Sequence, residues 1–380
     1  MNNKKGMTLV ELIVAMAIFA VCIVIMIQLI IGGMAGLKKS RDLTNAAYLA
    51  QQKMEEVIYQ SIDYINNEEG NFLSPYQNYK YRVELSDYSK KLKQIKITAI
   101  TPQNKEISLL TLKRATGGKI AFWSTRESPG DVFLMNSDGT EQRKITGNGA
   151  INKDPALSSD GKLIAFVSTL DGKPQIYIMG TDGSGFKQLT HEPFGAQGPS
   201  FSPDGKTVVY TTYDNGYSQI FSINIYGTGR RNLTNTMSHE GSPSVSPVDG
   251  SIAFTSTRDG DMEIYTMDIS GGSQRRLTYS PGWDTNPNFS PDGDKIAFMS
   301  TRGGLPQIYS MDIDGGNVTR LTSAGSCNSD PCYSPDGTQI VFWSTRGDSP
   351  ADIYVMNTDG SCSLRLTKAS ALNKKPSWGK

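Results

Sequence analysis

The sequence predicts two domains of different class. A membrane-spanning helix runs into a small α+β head, and an all-β ring of six four-stranded sheets follows, closed by the last strand of the chain. Three observations predict this. About 20 almost unbroken apolar residues follow Met7-Thr8-Leu9-Val10-Glu11, long enough to cross a bilayer. An apolar triplet recurs every 44 residues through the last two-thirds of the chain. The first and last copies of that repeat are incomplete in complementary ways.

The apolar run accounts for a span at about residues 9–31 but not for Glu11. A lone carboxylate at the rim of a span costs a few kcal/mol unless something pairs with it. A secretory signal needs a small-residue cleavage site after a shorter apolar core, and this run lacks one. Lys4, Lys5 and Gly6 stand directly before Met7. The arrangement resembles the class III signal of type IV prepilins. That resemblance implies a leader of residues 1–6, cut between Gly6 and Met7 by a prepilin peptidase, and methylation of the new Met7 amine. It also implies that Glu11, at mature position five, meets the terminal amine of a neighbouring pilin or pseudopilin. Met7 departs from the Phe usual at that place. Basic residues stay cytoplasmic, so Lys4 and Lys5 set a single-pass topology in the cytoplasmic membrane with the rest of the chain outside.

Past the span the helical pattern continues. Leu43, Ala46, Ala47, Ala50, Met54, Val57 and Ile58 form one apolar stripe, and Lys38, Lys39, Arg41, Asp42, Gln51, Lys53 and Glu56 fall on the polar face. One helix over about 8–62 is the economical reading, with Gly32, Gly33 and Gly36 at the membrane exit. Its stripe needs a sheet. Tyr81, Val83 and Leu85 alternate with polar residues, as do Ile95, Ile97 and Ala99, and a turn at 102–105 leads to Ile107–Leu112. These residues predict a small antiparallel sheet over 78–114 and a pilin-like module over 7–115. The segments NAAYLAQQKMEEVIYQ, YRVELSDYSKKLKQIKITAI and KEISLLTLK resemble minor pilins and pseudopilins of the PilV and GspI type.

Ala115-Thr116-Gly117-Gly118 is a short linker to the repeat array at 119–380. The triplet reads Ile120-Ala121-Phe122, then Ile164, Val208, Ile252, Ile296 and Ile340 at the same spacing. A second strand starts at Val132, Ile176, Ile220, Ile264, Ile308 and Ile353, and a third ends at Thr146, Thr190, Thr234, Thr278, Thr322 and Thr367. Ser-Pro-Asp-Gly and Asp-Gly turns separate them. The remaining strand is led by Pro155, Pro199, Pro243, Pro287, Pro331 and Pro376. No proline-led strand precedes the first triplet, and no triplet follows Pro376. Counted cyclically there are six of everything, so a ring closed by the C-terminal strand leaves no open edge. The repeat wording resembles the TolB-type WD-like β-propeller, which implies six blades.

Alternation sends the large residues two places after each proline (Leu157, Phe201, Val245, Phe289, Tyr333, Trp378) between blades. It sends the small ones one place after (Ala156, Ser200, Ser244, Asn288, Cys332, Ser377) toward the central channel, a poor lining for catalysis. The recurring Arg126, Arg258, Arg302 and Arg346 are read as pairs between blades; Leu170 and Asp214 hold that slot in blades two and three. One Asp per turn is far from the six to eight oxygens calcium takes, and two histidines make no zinc site. No metal or cofactor is expected. No nucleophile elbow, phosphate loop or His-Glu-x-x-His occurs, so the chain reads as non-enzymatic.

Net charge is +5 before Lys119 and −4 from there on, without the clustered basic face that nucleic acid requires. Cys22 lies in the span. Cys327 and Cys332 are near enough in sequence to be joined in an oxidising compartment or left as two thiols, and Cys362 sits in a turn. The loops that lead into each proline-led strand vary. They carry His191, Phe194, His239, Glu240, Trp283 and Asp284 on one face of the ring, either as a binding surface for a cell surface, a polysaccharide or an envelope protein or as cover for the blade tops. The function implied is a minor pilin or pseudopilin that displays a propeller outside the cytoplasmic membrane. The alternative is a tethered propeller that never polymerises and serves as an envelope scaffold.

Overall fold

The computed structural model describes residues 37–58, 67–89, 92–114, 117–323, 325–347, 350–368 and 370–380. Gly6, Met7, Glu11 and the expected span at 9–31 lie outside them. Among the described residues no helix is long and apolar enough to cross a membrane. Two compact units divide the chain, Met1–Ala115 and Thr116–Lys380.

In the first unit, α1 (Leu37–Ile58) packs on an antiparallel sheet of β1 (Glu68–Asn71), β2 (Lys80–Ser89), β3 (Leu92–Ile100) and β4 (Glu106–Arg114), in that order. The helical stripe and the inward strand positions form one core: Ala46, Leu49, Ala50, Met54 and Val57 against Val83, Ile95, Ile97 and Ala99. Two features depart from the sequence reading. β1 is an edge strand of sequence EEGN, with no apolar alternation to announce it. Lys53, expected on the polar face, is buried over the Tyr81 ring, with its ammonium 3.0 Å from Glu56 and 3.3 Å from Glu68. Its long aliphatic stem covers apolar surface while the charge reaches carboxylates at the rim.

The second unit is propeller-like. Its described residues form six four-stranded antiparallel sheets. In sheet one, Asn373–Gly379 pairs with Lys119–Ser124, followed by Asp131–Asn136 and Arg143–Lys144. The inner strands of sheets two to six are Asn152–Leu157, Ala196–Phe201, Glu240–Val245, Asp284–Phe289 and Asn328–Tyr333. Each is followed outward by two strands of five to eight residues and a two-residue outer strand. Six apolar cores each join two neighbouring sheets, and one of them unites Ile120, Phe122 and Trp378 of sheet one with Val341 and Ile353 of sheet six. The cycle is therefore closed.

The repeated threonine has one job throughout. Its hydroxyl accepts a backbone N–H from the first half of each sheet's third strand, counted from the channel, from Val132 to Thr146 at 2.9 Å through Ile353 to Thr367 at 3.0 Å. This satisfies a strand N–H that the short outer strand leaves unpaired.

The inner strands begin three residues before the proline, earlier than the sequence suggests. In each, the register skips at the residue before the proline, which takes a left-handed conformation: Asp154, Gly198, Ser242, Asn286, Asp330 and Lys375, with φ of 49–59°. Proline has no N–H for a ladder, so it settles at a bulge. The bulge also changes the role of the small residues after it. Four of them line the channel and also accept a backbone N–H from the next sheet. Ser377 takes Leu157 N at 2.9 Å, Ser200 takes Val245 N at 3.2 Å, Asn288 takes Tyr333 N at 2.8 Å, and Cys332 Sγ takes Trp378 N at 3.3 Å. The large residues that follow are buried between sheets, as alternation predicts.

Candidate functional site

Antiparallel strands place the loops leading into the inner strands, and the turns after each second strand, on one end of the ring. The sequence-derived face divides on inspection. Phe194 is 75 % exposed and Trp283 56 %; neither folds back over the sheets. His191 and His239 are also exposed. Glu240 and Asp284 are not on the surface. As first residues of inner strands they are fully buried, and each meets an arginine: Arg258 at 3.1 Å and Arg302 at 2.7 Å. They brace the fold beneath the loops.

Those arginines were expected between blades, but the structure keeps them within one sheet. Arg126 reaches Asn373, Arg258 reaches Glu240, Arg302 reaches Asp284 and Arg346 reaches Asn328, each the first residue of the same sheet's inner strand. Each guanidinium also lies over its sheet's aromatic pair, 4.6 Å from Phe133, 4.6 Å from Tyr265, 5.0 Å from Tyr309 and 4.9 Å from Tyr354. The turn from the second strand points inward across the sheet end, so the nearest acceptor belongs to the same sheet.

The exposed loops are rigidly held. Trp283 N donates to Thr301 Oγ1 at 2.8 Å and Thr301 N donates back to Trp283 O at 3.0 Å. The same exchange holds His239 to Thr257 and Cys327 to Thr345. One element of this face escaped the sequence reading. In sheet three the second and third strands, Thr207–Asp214 and Tyr217–Asn224, have eight residues each against five or six elsewhere. They meet at a tight Asn215-Gly216 turn with φ of 51° and 88°, the left-handed pair such hairpins require. This projecting hairpin carries Tyr213 and Tyr217, whose rings lie 6.1 and 5.5 Å from His239. Ser218 N–H donates to His239 Nδ1 at 3.2 Å. The segment Tyr213-Asp214-Asn215-Gly216-Tyr217 was the available signal.

The central channel is a cavity of about 550 Å³ between the six inner strands. Its charge comes from the bulge positions, which the sequence reading counted as loop. Lys375 lies 2.9 Å from Asp330. Burial pulls the ammonium pKa down, but Asp330 and Asp154 outweigh it and hold it above the ordinary lysine value. Asp330 belongs to sheet six, Asp154 to sheet two, and Lys375 to the closing strand between them, so these charges tie the ring's seam.

The turn aspartates are occupied by their own turns. Asp160, Asp204, Asp292 and Asp336 each accept the hydroxyl of the serine two residues earlier and a backbone N–H two residues later. Among the described residues no group of three or more His, Cys, Asp or Glu could hold a metal. Cys327, Cys332 and Cys362 are free thiols. Burial pushes the Cys332 thiol up to about 11, which keeps it a neutral acceptor for Trp378 N rather than a nucleophile.

Comparison with known proteins agrees with both halves of the chain. The model of the TolB β-propeller domain matches residues 63–198 and 193–380, and the prokaryotic N-terminal methylation motif matches residues 1–27. The first propeller match begins at 63, upstream of the ring's first strand, although residues 67–114 build the sheet of the separate first unit. TolB from Acinetobacter baumannii is similar in fold, with a TM-score of 0.62 and 24 % identity over 80 % of this chain and 83 % of its own. A TolB-like protein from Agrobacterium tumefaciens has a TM-score of 0.55 and 26 % identity over 68 % of this chain and 91 % of its own. A chain of a nidogen/laminin complex shares the fold alone, with a TM-score of 0.57 and 14 % identity over 70 % of this chain and 99 % of its own. No curated protein matches the chain.

Proposed function

The chain belongs to the TolB β-propeller domain family and carries a prepilin-type methylation motif, and from that premise we propose a minor pilin or pseudopilin that displays a six-bladed propeller outside the cytoplasmic membrane. The joining of these two motifs in one chain carries the reading. In it Gly6 is the cleavage residue, Met7 the methylated terminus and Glu11 the contact with the terminal amine of a neighbouring subunit. The six sheets act as blades and the loop face, with its exposed Phe194 and its rigidly held His239 and Trp283, captures a surface, a polysaccharide or an envelope protein. The role is non-enzymatic: Lys375 and Asp330 in the channel are paired with one another and the buried Cys332 thiol is held neutral. The propeller is larger than the head that carries it, so crowding keeps the subunit a rare component of its filament.

Mass spectrometry of the membrane-extracted protein tests the assembly half. Loss of residues 1–6 and an N-methylated Met7 are expected, both abolished when Gly6 is replaced. An intact N-terminus would instead favour a tether that does not polymerise. The recognition half is tested by F194A/W283A, expected to lower adhesion or partner capture without changing filament number.

A further inference from the structure

We infer that Glu263 and Asp284 form a proton-binding site, one proton held between two buried carboxyl groups beneath the loop that presents Trp283. The six repeats supply an internal comparison. At four of the junctions the first residue of a third strand faces the first residue of the next inner strand, and a backbone bond fixes their spacing. Asn152 N to Gly130 O, Asp284 N to Met262 O, Asn328 N to Pro306 O and Asn373 N to Ala351 O are all 2.8–3.0 Å. At three junctions the side chains then hydrogen-bond, with an amide as donor. Asn152 Nδ2 donates to Asp131 Oδ1 at 2.9 Å, Asn328 Nδ2 to Gln307 Oε1 at 3.0 Å, and Asn373 Nδ2 to Asp352 Oδ1 at 3.1 Å.

Only the junction of sheets four and five sets carboxyl against carboxyl. Glu263 and Asp284 are both buried. Arg276 Nη2 donates to Glu263 Oε1 at 2.8 Å, and Thr278 donates its hydroxyl to Oε2. Arg302 Nη2 donates to Asp284 Oδ2 at 2.7 Å and Ser280 Oγ donates at 3.1 Å, while Oδ1, the atom in the amide's place, has no partner. A buried acceptor facing a buried acceptor is costly, and a shared proton turns one of them into the missing donor. The other charged and titratable groups here are Asp259, which pairs with Arg276, Tyr265, which bonds Asp259, and the Arg258–Glu240 pair of sheet four. Burial is the largest influence on Glu263 and raises its pKa. Thr278 and Arg276 pull it down, Asp284 adds to the rise, and the balance lies above the usual carboxylate value.

The sign of the linkage follows. A carboxyl whose folded pKa exceeds its unfolded value binds more proton in the folded state, so its contribution is complete at low pH and is lost as pH rises through the folded pKa. The fitting variant is D284N. It recreates the acid–amide pair of Asp131–Asn152 and leaves a carbonyl for Arg302, as Asn328 does for Arg346. In the full chain in detergent, Tm is expected to fall on going from about pH 5 to pH 8, by more in the parent than in D284N, and D284N should melt a few degrees higher at the alkaline end. Infrared titration of the parent should show a protonated carboxyl band that persists to higher pH than an ordinary carboxylic acid allows, absent from both D284N and E263Q. A parent without that band overturns the proposal whether or not the variants fold. So does a pH slope that D284N leaves unchanged, since two separate ion pairs bridged by water would behave that way.

Discussion

In sheets one, four, five and six an arginine from the turn after the second strand lies over the sheet's aromatic pair, whereas in sheets two and three that position is Leu170 and Asp214. The aromatic pair is covered there too, from a different slot. Phe186 stacks on Tyr177 at 5.2 Å and on Phe166 at 6.1 Å, and Arg230 lies 4.0 Å over Phe221. Phe186 and Arg230 align with Gln142 and Gln274, the side chains that Arg126 and Arg258 hydrogen-bond in their own sheets. Two adjacent positions therefore share one task, and either can perform it. The exchange has a consequence in sheet three. The usual arginine N–H folds back on Ser Oγ, as Arg126 does on Ser124 at 3.3 Å, and strand pairing stops there. With Asp214 and Thr212 in those places, pairing runs on through Tyr213–Ser218 and Asp214–Tyr217, and the hairpin projects from the loop face.

The largest effect comes from breaking the ring that both groups of sheets presuppose. Deleting 373–380 removes the inner strand of sheet one together with Trp378. Truncation of a buried Trp alone costs about 3–5 kcal/mol, a sizeable share of a domain's stability, so calorimetry should show no cooperative propeller transition. A normal melt would mean that the sheets close in another register.

Next is the divergent pair. Arg230 binds Glu192 through Nε at 2.7 Å and Nη2 at 3.0 Å, and Tyr210 donates to the same carboxylate. R230A strands a buried charge. The cost should be about 2–3 kcal/mol, below that of a fully buried pair because the arginine is half exposed. F186A, on a half-exposed ring, should cost about 1 kcal/mol. Equal losses in denaturant melts would erase the distinction drawn between the two sheets.

The pH dependence sharpens it. Burial opposes ionisation of Glu192, but Arg230 and Tyr210 outweigh burial and hold its pKa below the ordinary value. The stabilisation is therefore present above the unfolded carboxylate pKa and lost as pH falls through the folded one. R230A should flatten the acid limb of the Tm–pH curve, the opposite limb from that assigned to Glu263.

Smaller still is an exchange of solutions. L170R/F186Q imports into sheet two the arrangement of sheet one and should remain within about 1 kcal/mol of the parent, while F186Q alone should not. The least effect is expected at the projecting hairpin. Y213A should alter stability by about 0.5 kcal/mol or less, as an exposed position does, leaving any loss of partner capture to be read as recognition.

The sequence by itself determined what is periodic or covalently local. The 44-residue spacing and its phase specified four strands per repeat and closure by the last one, because strand alternation and turn residues act over a few neighbours. The large residues after each proline were legible as packing between sheets for the same reason, and the methylation motif is a contiguous string. Tertiary structure decided whatever depends on which residues meet across a junction. Periodicity could show that Arg258 and Arg302 recur but not that they turn inward to Glu240 and Asp284, which removed two acids from the expected surface. It could not show that Ser200, Asn288, Cys332 and Ser377 bond the next sheet, since the bulge before each proline redirects them. Nor could it set Glu263 against Asp284, residues 21 positions apart in the chain that come together only when one sheet's third strand is laid beside the next sheet's first.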